Sequence, residues 1–358
     1  MTWSRTLSSA GLGGIAATAD CVIVSDRELD DTVDVFRGFD ATTGREKWTV
    51  RYLAPSRFDY GNSPRATPLV DGDRVFLFGA SGHLTCANVE TGKVLWRLNV
   101  VDEFNVSAEL PWGFCGSPLI VNEQLVLGPG GEEGAVVALD PATGDVRWAT
   151  TGNSPSYGSL IEMTINGSHQ IVGHDSITLG GWDTASGKRL WTLAPQTAKD
   201  FHVPTPIVFE DKLVVSTENN GTCLYRFSEE GRLEPEPVAV FRKLAPDTHT
   251  PVISGRRLLG VCKALYCLDL DNNLSVVWRA TDEAFRAHVS LLADDRRLLA
   301  WTEAGELLLV DAQAEEYRVL DRYHVFPGES GLLSHPALVG DTLYVRGNSE
   351  IRALSLAP

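Results

Sequence analysis

The sequence predicts an all-β fold, an eight-bladed β-propeller of four-stranded antiparallel blades, on three observations. One phrase recurs four times, with Asp or Asn, then Gly, then Trp at fixed spacing. A second strand–turn–strand segment precedes each copy, so one unit holds four short strands. Hairpin starts return about every 45 residues, which is the period of a propeller blade. They lie near Gly14, Thr67, Ser117, Ser159, Thr205, Thr250, Ser290 and His335, which makes eight units.

The repeated phrase predicts a strand, a tight turn and a second strand. Its copies are FDATTGREKW, NVETGKVLW, DPATGDVRW and DTASGKRLW, and a worn copy, DLDNNLSVVW, ends at Trp278. Asp or Asn starts the turn because its side chain can bond the backbone two residues on. The glycines, Gly44, Gly92, Gly144 and Gly187, supply the positive φ that the turn needs. The Trp on the second strand covers apolar surface between packed sheets.

The two ends of the chain predict how the propeller closes. The last unit stops at IRALSLAP, one strand short, and the chain begins with MTWSRTL, an outer strand without a partner. We expect the strand around Trp3 to pair with the strand around Ile351 and complete the last blade. Such closure leaves no exposed sheet edge, so residues 1–358 are predicted to form a single propeller domain.

The charge balance excludes some partners. The chain has 31 basic and 47 acidic residues, for a net charge of −16. Nucleic acid is not an expected partner because phosphate binding needs a basic stripe, and attachment to anionic lipid is disfavoured for the same reason. No apolar stretch of about 18 residues exists, so no membrane span is expected.

Cysteine usage and the N-terminus bear on location. The six cysteines show no metal-binding spacing and are expected to be buried free thiols in a reducing compartment. They are Cys21, Cys86, Cys115, Cys223, Cys262 and Cys267. No basic start followed by an apolar run is visible, which predicts a cytoplasmic protein. If an export signal was trimmed from the chain, the location is periplasmic.

The [DN]-x-x-[TS]-G-x-x-x-W phrase resembles the repeat of the PQQ-like (quinoprotein-type) propeller family. The resemblance covers nearly the whole chain, most strongly in the first four units. The family includes the quinoprotein alcohol dehydrogenases and the BamB-type outer-membrane assembly lipoproteins, which are eight-bladed scaffolds. The resemblance implies the fold, but fold alone does not assign a function.

The sequence departs from the functional patterns of both groups. The quinoprotein dehydrogenases have adjacent cysteines that touch the quinone, and this chain has no Cys-Cys pair. Their calcium-binding Glu and Asn and their catalytic Asp have no matching motif here. No catalytic residue is therefore carried over, and PQQ is not an expected cofactor. A lipidated Cys behind a signal, as in the assembly lipoproteins, is also missing from the sequence.

Candidate ligand-binding residues lie in the connections that enter the inner strand of each blade, because these loops share one face around a central funnel. The candidates are Tyr60, Arg65, Trp112, Tyr157, His202, His249, His288 and His335. The four histidines occupy four successive connections, at differing offsets. Three interpretations stay open: a site for a divalent metal, a metal-free ligand site, and imidazoles that bond neighbouring backbone.

The aromatic and arginine candidates suggest other ligands. Tyr60 and Arg65 could bind an anionic or sugar-like ligand by stacking and a fork of donors. Alternatively, Arg65 pairs with a surface acid. Trp112 stands near Cys115, but nothing local supplies the base that a nucleophilic cysteine needs. The acidic stretch DRELDD lacks a calcium-loop pattern and is expected to be a solvated loop.

Two classes of function follow. The favoured one is a binding or scaffold protein that uses its loop face and funnel to bind a protein, a small molecule or a sugar. The alternative is a propeller enzyme with a funnel site, either a PQQ-like oxidoreductase or a His-metal-dependent lyase or hydrolase acting on carbohydrates.

Overall fold

The chain folds into eight four-stranded antiparallel sheets, the blades of an eight-bladed β-propeller. The computed structural model describes residues 1–357. The predicted fold class and the eight hairpin starts are confirmed. The described residues fall into two compact units of four blades each. One unit is Met1–Ser154 with the chain from Leu332 onward, and the other is Pro155–Gly331. The prediction of a single domain over 1–358 stays a prediction.

The first unit holds blades one, two, three and eight. Their strands, from the inner to the outer, are β2 Ala16–Ala17, β3 Cys21–Arg27, β4 Val33–Asp40 and β5 Glu46–Leu53; β6 Leu69–Asp71, β7 Arg74–Phe78, β8 His83–Asn88 and β9 Val94–Asn99; β10 Leu119–Val121, β11 Gln124–Leu127, β12 Val137–Leu139 and β13 Val146–Ala149; and β30 Ala337–Val339, β31 Thr342–Arg346, β32 Glu350–Ser355 and β1 Trp3–Thr6. A short helix, α1 Val100–Glu103, follows β9.

The second unit holds blades four to seven. Their strands are β14 Ile161–Ile165, β15 Ser168–His174, β16 Leu179–Asp183 and β17 Arg189–Leu193; β18 Ile207–Phe209, β19 Lys212–Thr217, β20 Gly221–Arg226 and β21 Ala239–Phe241; β22 Val252–Ser254, β23 Arg257–Val261, β24 Leu265–Asp269 and β25 Ser275–Ala280; and β26 Val289–Ala293, β27 Arg297–Thr302, β28 Glu306–Asp311 and β29 Val319–His324. A 3₁₀ turn, Glu283–Phe285, follows β25.

The N-terminal strand completes the eighth blade, as predicted. β1 pairs antiparallel with β32, with Trp3 opposite Ala353 and Arg5 opposite Ile351. Trp3 is buried and packs beside Tyr344, with ring centroids 5.8 Å apart. The outer edge of β32 is therefore covered by β1, and the N-terminal strand adds a large buried ring to the blade.

The repeated phrase builds the turn between the third and fourth strands of a blade. Gly44 has φ +67°, and its N–H donates to the carbonyl of Asp40 at 2.8 Å. The Asp40 side chain accepts from the N–H of Thr43, also at 2.8 Å. This bond joins the Asp40 side chain to the backbone three residues later, whereas the sequence predicted a bond to the backbone two residues later. A shift in strand register between Gly38 and Phe39 follows from the turn and sets the position of Trp48 on β5.

The core lies between neighbouring blades. One cluster joins Ile23, Phe36 and Trp48 of the first blade to Val75 and Leu77 of the second. Strand alternation supplies this surface, because every second side chain of a strand points to the same face of its sheet. The expectation that the phrase tryptophan fills the space between two sheets is confirmed.

The six cysteines are free thiols among the described residues. Cys262 and Cys267, the two cysteines closest in sequence, do not face each other. Cys267 on β24 lies opposite Leu259, and Cys262 lies in the turn that follows β23. No helix among residues 1–357 is long and apolar enough to cross a membrane.

Candidate functional site

Arg65 organises the connection between the first two blades. Its guanidinium donates to the carbonyls of Ser63 and Gly61, both at 2.7 Å, and of Asp59 at 2.8 Å. It also lies over the ring of Phe58, 5.2 Å from the centroid. The bonds to three carbonyls shape residues 59–65 into a compact loop. The alternative pairing of Arg65 with a surface carboxylate stays a prediction.

Tyr60 stands on this loop as an exposed aromatic side chain. It is 78% exposed and adopts φ +65°, a left-handed conformation. Its ring lies 6.4 Å from that of Trp112, which is half-buried in the next connection. The two loops are joined where the N–H of Asp59 donates to the carbonyl of Pro111 at 2.8 Å. The structure therefore brings the predicted residues Tyr60, Arg65 and Trp112 together at one end of these blades.

Of the predicted histidines, His249 and His288 lie side by side in the second unit. Their ring centroids are 5.8 Å apart and nearly perpendicular. The Nε2–H of the buried His249 donates to the carbonyl of Val261, and Thr248 Oγ1 lies 3.4 Å from its Nδ1. Thr248 Oγ1 also lies 3.5 Å from Nδ1 of His288. Burial lowers the pKa of His249 and holds its ring neutral at physiological pH.

The other two predicted histidines, His202 and His335, bond different backbone carbonyls. His202 is buried in the connection to the fifth blade, and its Nδ1–H donates to the carbonyl of Asp175 at 3.0 Å. His335 is exposed, belongs to the other compact unit and has Nδ1 3.0 Å from the Pro336 carbonyl. Within residues 1–357, no group of three or more His, Cys, Asp or Glu side chains could hold a metal ion. A shared funnel for all four histidines stays a prediction.

His174, which the sequence analysis missed, stacks on His202. The ring centroids are 4.4 Å apart and the planes differ by 11°. Both ring nitrogens of His174, and Nε2 of His202, are buried without a hydrogen-bond partner among the described residues. Burial is the main cause that lowers the pKa of His174, to about 3, and the neighbouring His202 lowers it further. The pKa of His202 is lowered by burial as well. The stacked pair is therefore uncharged at neutral pH.

A cavity of about 30 Å³ adjoins His174 between the fourth and fifth blades. Its lining is mixed, with polar groups from Thr217, Asn220 and Tyr225 beside aliphatic side chains. That volume accommodates one or two water molecules or a comparably small polar group. His174 ends strand β15, at the loop between the second and third strands. A histidine beside the loop between the second and third strands of a blade is the sequence signal that indicates this position.

The connection that covers this cavity is held by polar contacts. The Asp200 carboxylate accepts from the N–H of Asn219 at 2.8 Å and from Nδ2 of Asn220 at 2.5 Å. The Asn220 side chain also bonds both the N–H and the carbonyl of Thr197. In the same connection, Phe201 is 50% exposed, and its ring lies 6.4 Å from that of the buried Tyr157. Tyr157, the remaining predicted residue, therefore supports an exposed neighbour and offers little surface of its own.

A second buried polar cluster, also unforeseen, lies in the first unit. Asp34 on β4 is opposite Tyr52 on β5, and the Tyr52 ring stacks on His83 at 4.8 Å. Burial raises the pKa of the Asp34 carboxyl to about 6, although the buried guanidinium of Arg27, with which it pairs, acts in the opposite direction. A carboxyl group with its pKa near neutrality is suited to proton transfer, but such groups also occur in purely structural networks.

Comparison with known proteins identifies the family. Residues 1–110 and 34–276 match the family described as outer membrane protein assembly factor BamB. The chain belongs to this family. The predicted PQQ-like repeat is thereby confirmed.

Relatives of the family match over different lengths. The chain is 24% identical to the outer membrane protein assembly factor BamB of Shewanella oneidensis, over 100% of both chains. It is 23% identical to the dehydrogenase subunit of a quinone alcohol dehydrogenase from Komagataeibacter europaeus, over 60% of this chain and 29% of that protein. The matched segment thus spans less than a third of the length of the dehydrogenase subunit.

Solved structures agree on the fold. BamB from Moraxella catarrhalis has a TM-score of 0.67 at 14% identity, over 99% of this chain and 98% of that one. Quinohemoprotein alcohol dehydrogenase from Comamonas testosteroni has a TM-score of 0.69 at 12% identity, over 99% of this chain and 76% of that one. At such identities the likeness concerns the fold alone.

Proposed function

We propose that this protein is a non-catalytic scaffold that binds a protein partner through the loops at one end of its blades. The observation that carries the proposal is the set of large apolar side chains that these loops present to solvent. In the first unit they are Leu29 and Tyr60, 89% and 78% exposed; in the second they are Ile177 and Phe201, 58% and 50% exposed. Exposed apolar side chains in loops on a rigid scaffold are typical of protein-binding surfaces.

The relatives support a protein partner. The Shewanella oneidensis relative, matched over its full length, is named an outer membrane protein assembly factor. By that name, it acts on other proteins. The dehydrogenases match over much less of their own length. The candidate histidines fit the same interpretation, because His202 and His249 direct a ring nitrogen to a backbone carbonyl.

A second candidate, a site for a small polar ligand or an enzyme funnel, is favoured by the cavity beside His174. The His174 imidazole, whose two buried ring nitrogens have no hydrogen-bond partner among the described residues, borders a space that accepts small hydrogen-bonding groups. A sugar hydroxyl could form hydrogen bonds with these ring nitrogens, whereas no group of three or more His, Cys, Asp or Glu side chains within residues 1–357 could hold a divalent metal.

Two measurements test the scaffold proposal. After mild cross-linking in cells, affinity purification with quantitative mass spectrometry should recover one protein near equimolar ratio to the scaffold. Recovery of the chain alone would contradict the proposal. In parallel, the purified protein supplied with PQQ, calcium and short alcohols should reduce no dye. Dye reduction, or a stoichiometric metal in elemental analysis, would favour the enzyme instead.

The cellular compartment of the protein determines which partners it can meet. The unpaired thiols favour a reducing compartment, whereas the naming of the relatives after outer membrane assembly favours the periplasmic alternative. We propose the periplasmic location, because the binding partner of an assembly factor would be found there. Cell fractionation with a cytoplasmic and a periplasmic marker tests it.

A further inference from the structure

Three exposed apolar side chains and one half-buried tryptophan in the first unit form what we call the rim surface. It consists of Leu29 in the loop between β3 and β4, Leu53 at the end of β5, Tyr60 in the following connection and Trp112 in the next one. Leu29, Leu53 and Tyr60 are exposed over 89%, 70% and 78% of their area. Leu29 and Tyr60 stand in loops and Leu53 ends a strand, and hydrogen bonds connect these three segments.

Hydrogen bonds make the rim surface continuous. Asn62 Nδ2 donates to the Asp31 carboxylate at 2.6 Å and joins the connection to the loop that carries Leu29. The buried guanidinium of Arg27 donates to the Ala54 carbonyl at 2.9 Å, directly after Leu53. Together with the bond between Asp59 and Pro111, these contacts hold the three loops in fixed positions. The exposed side chains are thus presented by a preorganised backbone.

Tyr60 has a positive φ, and packing of its side chain does not compensate for the strain, because the side chain is exposed. A bulky residue with positive φ is a backbone outlier and costs about 1 kcal/mol or more. The side chain recovers little of this by packing, since most of its surface is in solvent. Asn or Gly would occupy the position with less strain. Backbone outliers of this kind concentrate at binding and catalytic sites, so the aromatic group itself is the feature to explain.

The charge around the rim surface restricts its partner. Leu29 is flanked by Glu28, Asp30 and Asp31, and Asp59 is exposed beside Tyr60. Arg51 pairs with Glu28 and Arg27 with Asp31, and the exposed Arg57 offsets one of the two remaining carboxylates, Asp30 and Asp59. The whole chain carries a net charge of −16. A positively charged partner is attracted by this field and an acidic one is repelled.

We propose that the rim surface docks a segment of the partner protein in which apolar or aromatic side chains alternate with Lys and Arg. The inference rests on the proposed scaffold function for its assumption that the partner is a protein. Tyr60 and Trp112 supply the aromatic contact, Leu29 and Leu53 extend it, and the surrounding carboxylates select for positive charge. Aromatic anchors of this type dominate the binding free energy of protein interfaces.

The test uses synthetic peptides and the full chain. We expect a fluorescent peptide that alternates Leu with Lys to bind about tenfold more tightly than a Ser/Lys or a Leu/Glu peptide of equal length. Tyr60→Asn should weaken that binding by about tenfold while leaving the melting temperature equal or higher. The matched control is Tyr323→Asn on β29, which removes an exposed tyrosine, 61% exposed, in the other unit.

The outcomes separate the two proposals. The rim surface is not the docking site if peptide binding is unchanged by both Tyr60→Asn and Leu29→Ser. The same conclusion follows if Tyr323→Asn weakens peptide binding as much as Tyr60→Asn does. A fall in melting temperature with Tyr60→Asn assigns the tyrosine a structural role and also overturns it. If a stoichiometric partner still co-purifies with a chain that carries both Tyr60→Asn and Leu29→Ser, the scaffold proposal stands and the docking site lies elsewhere.

Discussion

The indole of Trp48 lies against Gly92, the glycine of the next blade's copy of the repeated phrase. A Cβ added at Gly92 would lie 2.6 Å from the Cβ of Trp48, and Gly92 has φ +67°. The indole Nε1–H donates to the carbonyl of Val89, three residues before that glycine, at 2.7 Å. Trp3 with Gly44 and Trp96 with Gly144 repeat the contact. At these three blade junctions the tryptophan of one blade meets the glycine of the next blade's copy of the phrase, which explains why the two residues recur together.

Gly92→Ala should destabilise the protein by about 2–4 kcal/mol, because the new methyl group both strains a left-handed backbone and displaces the Trp48 ring. Gly72→Ala is the matched control, since Gly72 has φ +58° but nothing within 4 Å of an added Cβ. The control should lose only the backbone part, about 1 kcal/mol. Urea unfolding measures both. Equal losses would show that ring contact plays no part.

Removing residues 1–7 should destabilise the eighth blade strongly. The deletion uncovers β32 and removes the buried side chains of Trp3 and Leu7. Loss of a buried tryptophan alone costs about 3–5 kcal/mol. Arg5→Ala serves as the control, because its side chain bonds exposed carbonyls and leaves the strand pairing intact. A truncated chain with an unchanged melting temperature would refute the structural role of β1.

All six thiols should titrate with Ellman's reagent after denaturation without reductant. In the native protein, Cys21, Cys86 and Cys267 should react slowly at pH 8. Burial raises the pKa of each to about 11, so little thiolate is present, and the sulfur atoms are inaccessible. A count below six in the denatured chain would mean that a disulfide had formed, and would strengthen the periplasmic location.

Stability should fall as the pH falls from about 6.5 towards 3, in part through His174. The unfolded imidazole binds a proton with an ordinary pKa near 6.5, whereas the folded one binds it only at about 3. Between these values the unfolded state holds more protons, so acidification favours unfolding by up to about 1.4 kcal/mol per pH unit.

His174→Phe keeps an aromatic ring but cannot be protonated, so the difference in unfolding free energy between pH 7.5 and 5.5 should shrink by about 1 kcal/mol or more. His169→Phe, at an exposed position on the same strand, is the matched control for loss of an imidazole. If both variants behave alike, His174 is not the group that titrates. Should His174→Phe unfold at neutral pH, His174→Leu allows the same comparison.

The sequence predicted the repeating features well because they depend on local chemistry. The Asx residue, Gly44 and Trp48 lie within nine consecutive residues, and turn conformation and strand alternation follow from such short segments. The period of the phrase counts the blades, and an unpaired strand at each end predicts the pairing of the strand around Trp3 with the strand around Ile351. These features need no knowledge of how side chains meet across a junction.

Contacts between distant segments required the tertiary structure. The sequence placed His202, His249, His288 and His335 in equivalent connections, but each ring direction depends on its rotamer and on backbone φ, which is +51° at His202. The stack of His174 on His202 joins residues 28 positions apart, and burial by both blades lowers the pKa values. Likewise, the sequence placed Tyr60 in a connecting loop. Its exposed position beside Trp112 depends on the tertiary structure, in which Arg65 donates hydrogen bonds to the carbonyls of that loop. Sequence spacing determines which loop a side chain belongs to; packing decides where that side chain points and how much water reaches it.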